Sequence, residues 1–139
     1  MRISRHISIA ALAISAIALP IAAIAQAPMP KPERVQFAKG TSSKTIKGTI
    51  KGDQSRLFVV NLRAGQKVSV KLVTSNASNY FNVTAPGAQQ AMFVGSSAGN
   101  SFQDTVPSSG DYTIDLYLMR NAARRNETAN FTITIGATG

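Results

Sequence analysis

The chain has 139 residues, with 15 lysines and arginines against 6 acids for a net charge of +9, one histidine and no cysteine. With His6 the sole imidazole and no thiol, the commonest general base, the commonest transition-metal ligands and the thiol nucleophile are nearly excluded together. The charge points instead to acidic partners: nucleic acid, anionic headgroups, or an acidic cleft on another protein.

Met1-Arg2-Ile3-Ser4-Arg5-His6 is followed by an apolar run from Ile7 to Ile24, interrupted only by Ser8, Ser15 and Pro20. A basic start, an apolar middle and the small residues of Ala23-Ile24-Ala25 describe a secretory signal peptide, residues 1–25, cut after Ala25. Ala25-Gln26-Ala27 also fits the cleavage pattern, but Pro28 would then follow the cut. The run is just long enough to span a bilayer as an uncleaved anchor; its alanine content, Pro20 and the A-x-A site favour removal, with no stable membrane insertion afterwards. Residues 26–139 keep thirteen basic residues and all six acids, a net charge of +7, and no histidine. That length supports one domain with one core. An exported domain of this size without disulfides suits a bacterial periplasm.

A proline-rich leader, Gln26 to Pro32, precedes a single domain over 33–139. Arg34 to Phe37 is a first short strand candidate. Thr45 to Lys51 alternates like a strand around Gly48, which invites a bulge or a close backbone contact. Leu57 to Leu62 and Lys67 to Val73 form two further strands around the turn Arg63-Ala64-Gly65-Gln66, and this pair is expected as a hairpin. Tyr80 to Thr84 is a fifth strand, Gln89 to Val94 a possible sixth, Gly95 to Gly99 a flexible loop, and Phe102 to Asp104 a weak strand. About eight short strands, with no sustained helical periodicity and no internal repeat, indicate an all-β protein: a compact antiparallel β-sandwich or flattened barrel.

The last stretch, Asp111 to Ile135, carries the strongest pattern. Tyr112, Ile114, Leu116 and Leu118 share one face of one strand, and Phe131, Ile133 and Ile135 one face of the next. Between them Arg120-Asn121-Ala122-Ala123-Arg124-Arg125-Asn126-Glu127-Thr128 is the densest positive cluster in the chain, on a connection long for a hairpin. Arg120, Asn121, Arg124 and Arg125 are therefore the candidate partner-binding residues. A helical turn through Ala122 and Ala123 brings Arg120 and Arg124, four residues apart, to one side, with Asn121 and Asn126 suited to bonding the loop backbone. The competing reading is a solvated loop, or an arginine folded inward on Asp115 or Glu127.

Catalytic patterns are missing. Gly95-Ser96-Ser97-Ala98-Gly99 matches G-x-S-x-G, but that motif needs a strand-turn-helix setting and a histidine to accept the serine proton, so it is a chance match. The acids Glu33, Asp53, Asp104, Asp111, Asp115 and Glu127 are scattered singly, without the facing pair of a glycosidase. No calcium-type or phosphate-cradling loop implies a cofactor. The chain reads as a binding protein, not an enzyme.

Three segments resemble the family of periplasmic inhibitors of goose-type (g-type) lysozyme: Val35 to Ser43; Gly48-Thr49-Ile50-Lys51-Gly52 leading to Ala64-Gly65-Gln66-Lys67-Val68; and Ser109-Gly110-Asp111-Tyr112 through Arg120 to Asn126. The first two have a rhythm shared with secreted pre-peptidase C-terminal modules; the discriminating R-N-x-A-R-x-N stands complete at Arg120, Asn121, Ala123, Arg124 and Asn126. The resemblance implies a β-sandwich that blocks g-type lysozyme in the bacterial envelope by occupying its substrate cleft, with Arg120 and Arg124 as functional loop arginines. The chain departs from the family at Asp53, where the members compared carry tyrosine near the binding face. Two other classes fit the basic face: a general binding module for acidic glycan or envelope polymer, and nucleic-acid binding. Export and an aromatic content of 6% argue against nucleic acid.

Overall fold

The structure, a computed structural model, describes residues 11–19 and 29–139. The cleavage point after Ala25 lies outside them. Residues 11–19 form no regular secondary structure, and among the described residues no helix is long and apolar enough to cross a membrane.

Among the described residues, nine strands build two stacked sheets, with two single helical turns between strands. In chain order they are β1 (Pro32–Arg34), β2 (Ser43–Lys51), β3 (Arg56–Leu62), β4 (Lys67–Thr74), β5 (Asn79–Thr84), β6 (Phe93–Val94), α1 (Gly95–Ala98), β7 (Ser101–Thr105), β8 (Gly110–Leu118), α2 (Arg120–Arg124) and β9 (Thr128–Thr138). One sheet runs β1-β3-β8-β5-β6 and the other β2-β9-β4-β7. The sandwich expected from the strand spacing is thus present, and no barrel closes.

The period-two patterns name the buried faces correctly. Phe58, Val60 and Leu62 of β3, Phe81 and Val83 of β5, and Tyr112, Ile114, Leu116 and Leu118 of β8 face Ile50, Val68, Val70, Leu72, Phe102, Phe131, Ile133 and Ile135 of the opposite sheet. The Tyr112 hydroxyl, carried into the core on an otherwise buried ring, donates to the Ser108 carbonyl at 2.8 Å. That bond ties the turn before β8 to the strand and satisfies the one polar atom the ring brings inside.

Both expected hairpins are absent. β3 pairs with β1 and β8, whereas β4 pairs with β7 and β9; likewise β8 and β9 lie in different sheets. The turn at 63–66 and the arginine connection are therefore arches between layers. A strand with one apolar face satisfies that face equally by lying beside its neighbour or by facing it across the core, so alternation alone does not choose. Among consecutive strands only β5 and β6 pair. β1 also departs from an all-antiparallel sheet, since it runs parallel to β3 and starts at Pro32 rather than Arg34. Gly95 to Ala98, expected as a flexible loop, is a helical turn after the two-residue strand β6.

Gly48 explains its own place. The register of β2 on β9 continues through it without a bulge, opposite Phe131. A Cβ there would stand 2.8 Å from Phe131 Cζ and 2.6 Å from Arg56 Nη1, so the missing side chain is the space these two occupy. Arg56 points inward at the open side of the sandwich, its guanidinium 5.3 Å from the Phe58 ring centroid and 5.5 Å from that of Phe131. Glu33 of β1 accepts from it twice, at 2.5 and 2.6 Å, which holds the Glu33 carboxyl below the usual glutamate range. One paired arginine thus anchors the first strand to both sheets.

Candidate functional site

Three connections meet at one end of the sandwich: the turn between β2 and β3, the loop between β4 and β5, and the crossover that contains α2. The Gly52 N–H donates to the Glu127 carbonyl at 2.9 Å, and the Met119 N–H to the Ser78 carbonyl at 2.9 Å. The arginine segment is therefore stitched to its neighbours on both sides.

The helical turn expected from Ala122 and Ala123 spans Arg120 to Arg124. Ala122 is fully buried, and Ala123 packs against the core, so α2 is seated in the sandwich rather than standing outside it. Its C-terminus closes in a Schellman motif: the Glu127 N–H donates to the Ala122 carbonyl at 3.1 Å and the Asn126 N–H to the Ala123 carbonyl at 3.0 Å. That closure needs a left-handed residue, and Asn126, at φ 56°, supplies it. Asn tolerates this region better than most non-glycine residues. Gly52, also at positive φ (62°), lies under the Asn126 side chain; a Cβ there would stand 2.6 Å from Asn126 Oδ1.

The four candidate residues separate into two kinds. Arg120, Asn121 and Arg124 are exposed, and neither Arg120 nor Arg124 joins an ion pair among the described residues. Arg125, also exposed, is committed: its Nε donates to Glu127 Oε2 at 2.6 Å. Of the two acids the sequence offered as partners for a loop arginine, Glu127 and not Asp115 takes one, and the pair stays at the surface. Asp115 lies on the outer face of its sheet between Leu57 and Asn82, and burial pushes its carboxyl above the usual aspartate range.

Among the described residues, Asn121 and Asn126 make no side-chain bond that holds the loop. Asn76, which sequence reasoning passed over, does that work from the neighbouring loop. Its Nδ2 donates to Glu127 Oε1 at 3.0 Å and to the Thr128 carbonyl at 3.2 Å, while its Oδ1 accepts the Ser78 N–H at 2.8 Å. The bonds from Asn76 and Arg125 hold the Glu127 carboxyl below the usual range. The signal was the asparagine in Thr74-Ser75-Asn76, a residue suited to local backbone bonding at a turn; its long-range partner had none. Asp53 is exposed beside Gly52, on this same end. Met119, 42% exposed, precedes Arg120 and adds an apolar contact point.

Among the described residues no cluster of His, Cys, Asp or Glu is placed to hold a metal ion. The end carries two unpaired guanidinium groups on a fixed scaffold, suited to paired, charge-assisted bonds with carboxylates.

No protein-family model matches the chain. Over 104 residues it is 30% identical to the inhibitor of g-type lysozyme of Escherichia coli K12, across 73% of this chain and 77% of that protein. The crystal structure of PliG from Aeromonas hydrophila, a periplasmic lysozyme inhibitor of g-type lysozyme, is similar with a TM-score of 0.69 at 34% identity, over 77% of this chain and 96% of that one. Its Salmonella Typhimurium counterpart gives 0.64 at 28% identity, over 79% and 100%. The pre-peptidase C-terminal domain of a Bacillus anthracis collagenase shares the fold alone, at a TM-score of 0.56 and 15% identity over 81% of this chain and all of that domain.

Proposed function

Because the chain belongs to the family of periplasmic inhibitors of g-type lysozyme, we propose that, after removal of residues 1–25, it inhibits g-type lysozyme by inserting Arg120 and Arg124 of α2 into the acidic substrate cleft. The relatives are named as inhibitors, and the chain is a binding protein of the periplasm, not an enzyme. The observation that carries the mechanism is the pair of exposed, unpaired guanidinium groups one helical turn apart, on a turn whose middle residue is buried. Little side-chain and backbone freedom remains to be lost in that base on binding, which favours affinity. The Arg125–Glu127 pair follows directly after the turn, and Asn121 is exposed on it next to Arg120.

The purified protein, added to g-type, c-type and i-type lysozymes digesting cell walls, should inhibit the g-type enzyme selectively. Arg120→Ala and Arg124→Ala should each weaken inhibition by about 2–5 kcal/mol, mainly through faster dissociation, because each leaves a desolvated carboxylate on the enzyme. Arg125→Ala should weaken it less, since its charge is already matched by Glu127. Full inhibition by the double variant Arg120→Ala, Arg124→Ala would remove the loop mechanism and leave family membership standing.

A further inference from the structure

The outer face of the β2-β9-β4-β7 sheet has a composition of its own. Its central strand β9 sends Thr128, Asn130, Thr132, Thr134, Gly136 and Thr138 outward, alternating with the buried Ala129, Phe131, Ile133, Ile135 and Ala137. On either side lie lysines. Lys51 and Lys47 of β2 stand opposite Thr128 and Thr132, and Lys71 and Lys67 of β4 stand opposite Thr134 and Thr138. All four are exposed, and none joins an ion pair among the described residues. The result is a low track of short polar side chains with a positive charge beside it at four successive points. At about 3.4 Å per residue the eleven residues from Thr128 to Thr138 span roughly 34 Å.

The track also has relief. Around Gly136, whose missing side chain opens the surface between Ser43 and Ser69, a concavity of about 540 Å³ is lined by Lys67, Gln103, Thr105 and Thr138. At the other end a second, of about 600 Å³, is lined by Lys47, Thr49, Val73, Asn130 and Thr132. Five of the six acids lie elsewhere: Glu33 on Arg56, Asp53 in its turn, Asp111 and Asp115 on the opposite sheet, and Glu127 under Arg125. Asp104 lines the first concavity from the edge strand β7, opposite the inward-facing Val68, and its Oδ1 accepts the Thr105 N–H.

We propose that this face is a second binding site, separate from α2, for a linear acidic glycan laid along β9. A bilayer is a poorer match, because Val73 is the one large apolar side chain exposed on this sheet and there is little to insert. Nucleic acid is also a poorer match, because no aromatic ring occupies an outward position of the four strands and bases have nothing to stack on. A glycan uses both features present: lysines take its carboxylates or phosphates, and the serine, threonine and glutamine side chains take its hydroxyls.

The test measures binding of the mature protein to polygalacturonate, with pullulan as the neutral control and phosphatidylglycerol vesicles as the lipid arm. Polygalacturonate should bind, and more weakly as salt rises; pullulan should not. Replacing Lys47, Lys51, Lys67 and Lys71 with glutamine should lower the affinity more than about tenfold, while leaving g-type lysozyme inhibition unchanged. Thr132→Glu, which keeps every lysine and places a carboxylate on the track, should lower it several-fold, with unchanged thermal unfolding as the check on folding. Arg120→Ala with Arg124→Ala should leave it within about twofold, so that a failed lysozyme assay and a failed glycan assay remain distinguishable. An equal loss from that arginine pair, or from Lys31→Gln with Lys39→Gln, would overturn the proposal in favour of diffuse attraction. Binding to vesicles without binding to polygalacturonate would overturn it in favour of a membrane.

Discussion

Asp53 and Glu33 show how a single carboxylate acts differently by position. Asp53 is exposed on the end that carries Arg120 and Arg124, at the position where the family resemblance implies a tyrosine. Under the proposed mode of inhibition, an aspartate there lacks an aromatic anchor and repels an acidic cleft. Asp53→Tyr should therefore strengthen inhibition of g-type lysozyme by about 1–2 kcal/mol, and Asp53→Ala, which removes only the repulsion, by less. Titrating both variants against one enzyme preparation measures the difference; no gain from tyrosine would mean the turn at 52–55 does not reach the enzyme. Glu33 instead fastens β1 through Arg56, and its carboxyl lies below the ordinary range. A depressed carboxylate stabilises the fold above its unfolded value of about 4.3, and that contribution fades as pH falls through the lower folded value. Glu33→Gln should be less stable than the parent at pH 7, and the gap, followed by urea unfolding, should narrow progressively below about pH 4. A gap independent of pH would show that the pairing with Arg56 does not stabilise through charge.

At the scale of elements, α2 joins a packed residue, Ala122, to the two arginines of the proposed inhibitory contact. Ala122 is fully enclosed, and the chain returns to β9 through a capped end and the Asn76–Glu127–Arg125 bonds. Ala122→Leu should overpack this seat, costing about 1–3 kcal/mol in thermal unfolding. It should also weaken inhibition, since Arg120 and Arg124 flank it on the same turn. Asn121→Ala, one position away and exposed, should shift stability by less than about 0.5 kcal/mol. Equal stability in both variants would mean α2 is only a solvated loop. The helical turn itself was legible, because two alanines between arginines favour it. Its burial was not: a five-residue segment gives no periodicity from which an inward side can be read.

For the whole molecule, the interleaving of the two sheets governs what meets what. With only β5 and β6 paired among consecutive strands, nearly every connection crosses the core, and three of them converge on the α2 end. That convergence puts Gly52, Asn76 and Glu127 in one network although they are far apart in the chain. It also leaves the outer faces unlike each other, one with Asp111 and Asp115, the other with four exposed lysines. Export belongs to this scale too. Mass spectrometry of periplasmic protein should find a mature chain starting at Gln26; a membrane-retained species that keeps Met1–Ala25 would refute removal of the leader.

The sequence by itself determined the all-β class and the inward side of each main strand, and it indicated the arginine turn, because these depend on neighbours one to four residues apart. It also carried the family, through the R-N-x-A-R-x-N segment. At Gly48, where a bulge or a close backbone contact was expected, the space is taken by the side chains of Arg56 and Phe131. Only the tertiary structure decided that 63–66 and 119–127 are arches and not hairpins, that β1 runs parallel, that Arg125 is spent on Glu127, and that Asn76 braces the site. Each of those is a pairing between segments distant in the chain. An alternating strand buries the same face whether its partner lies about 4.8 Å to the side or about 10 Å across the core, so local pattern is silent between the two and the packing of the whole chain makes the choice.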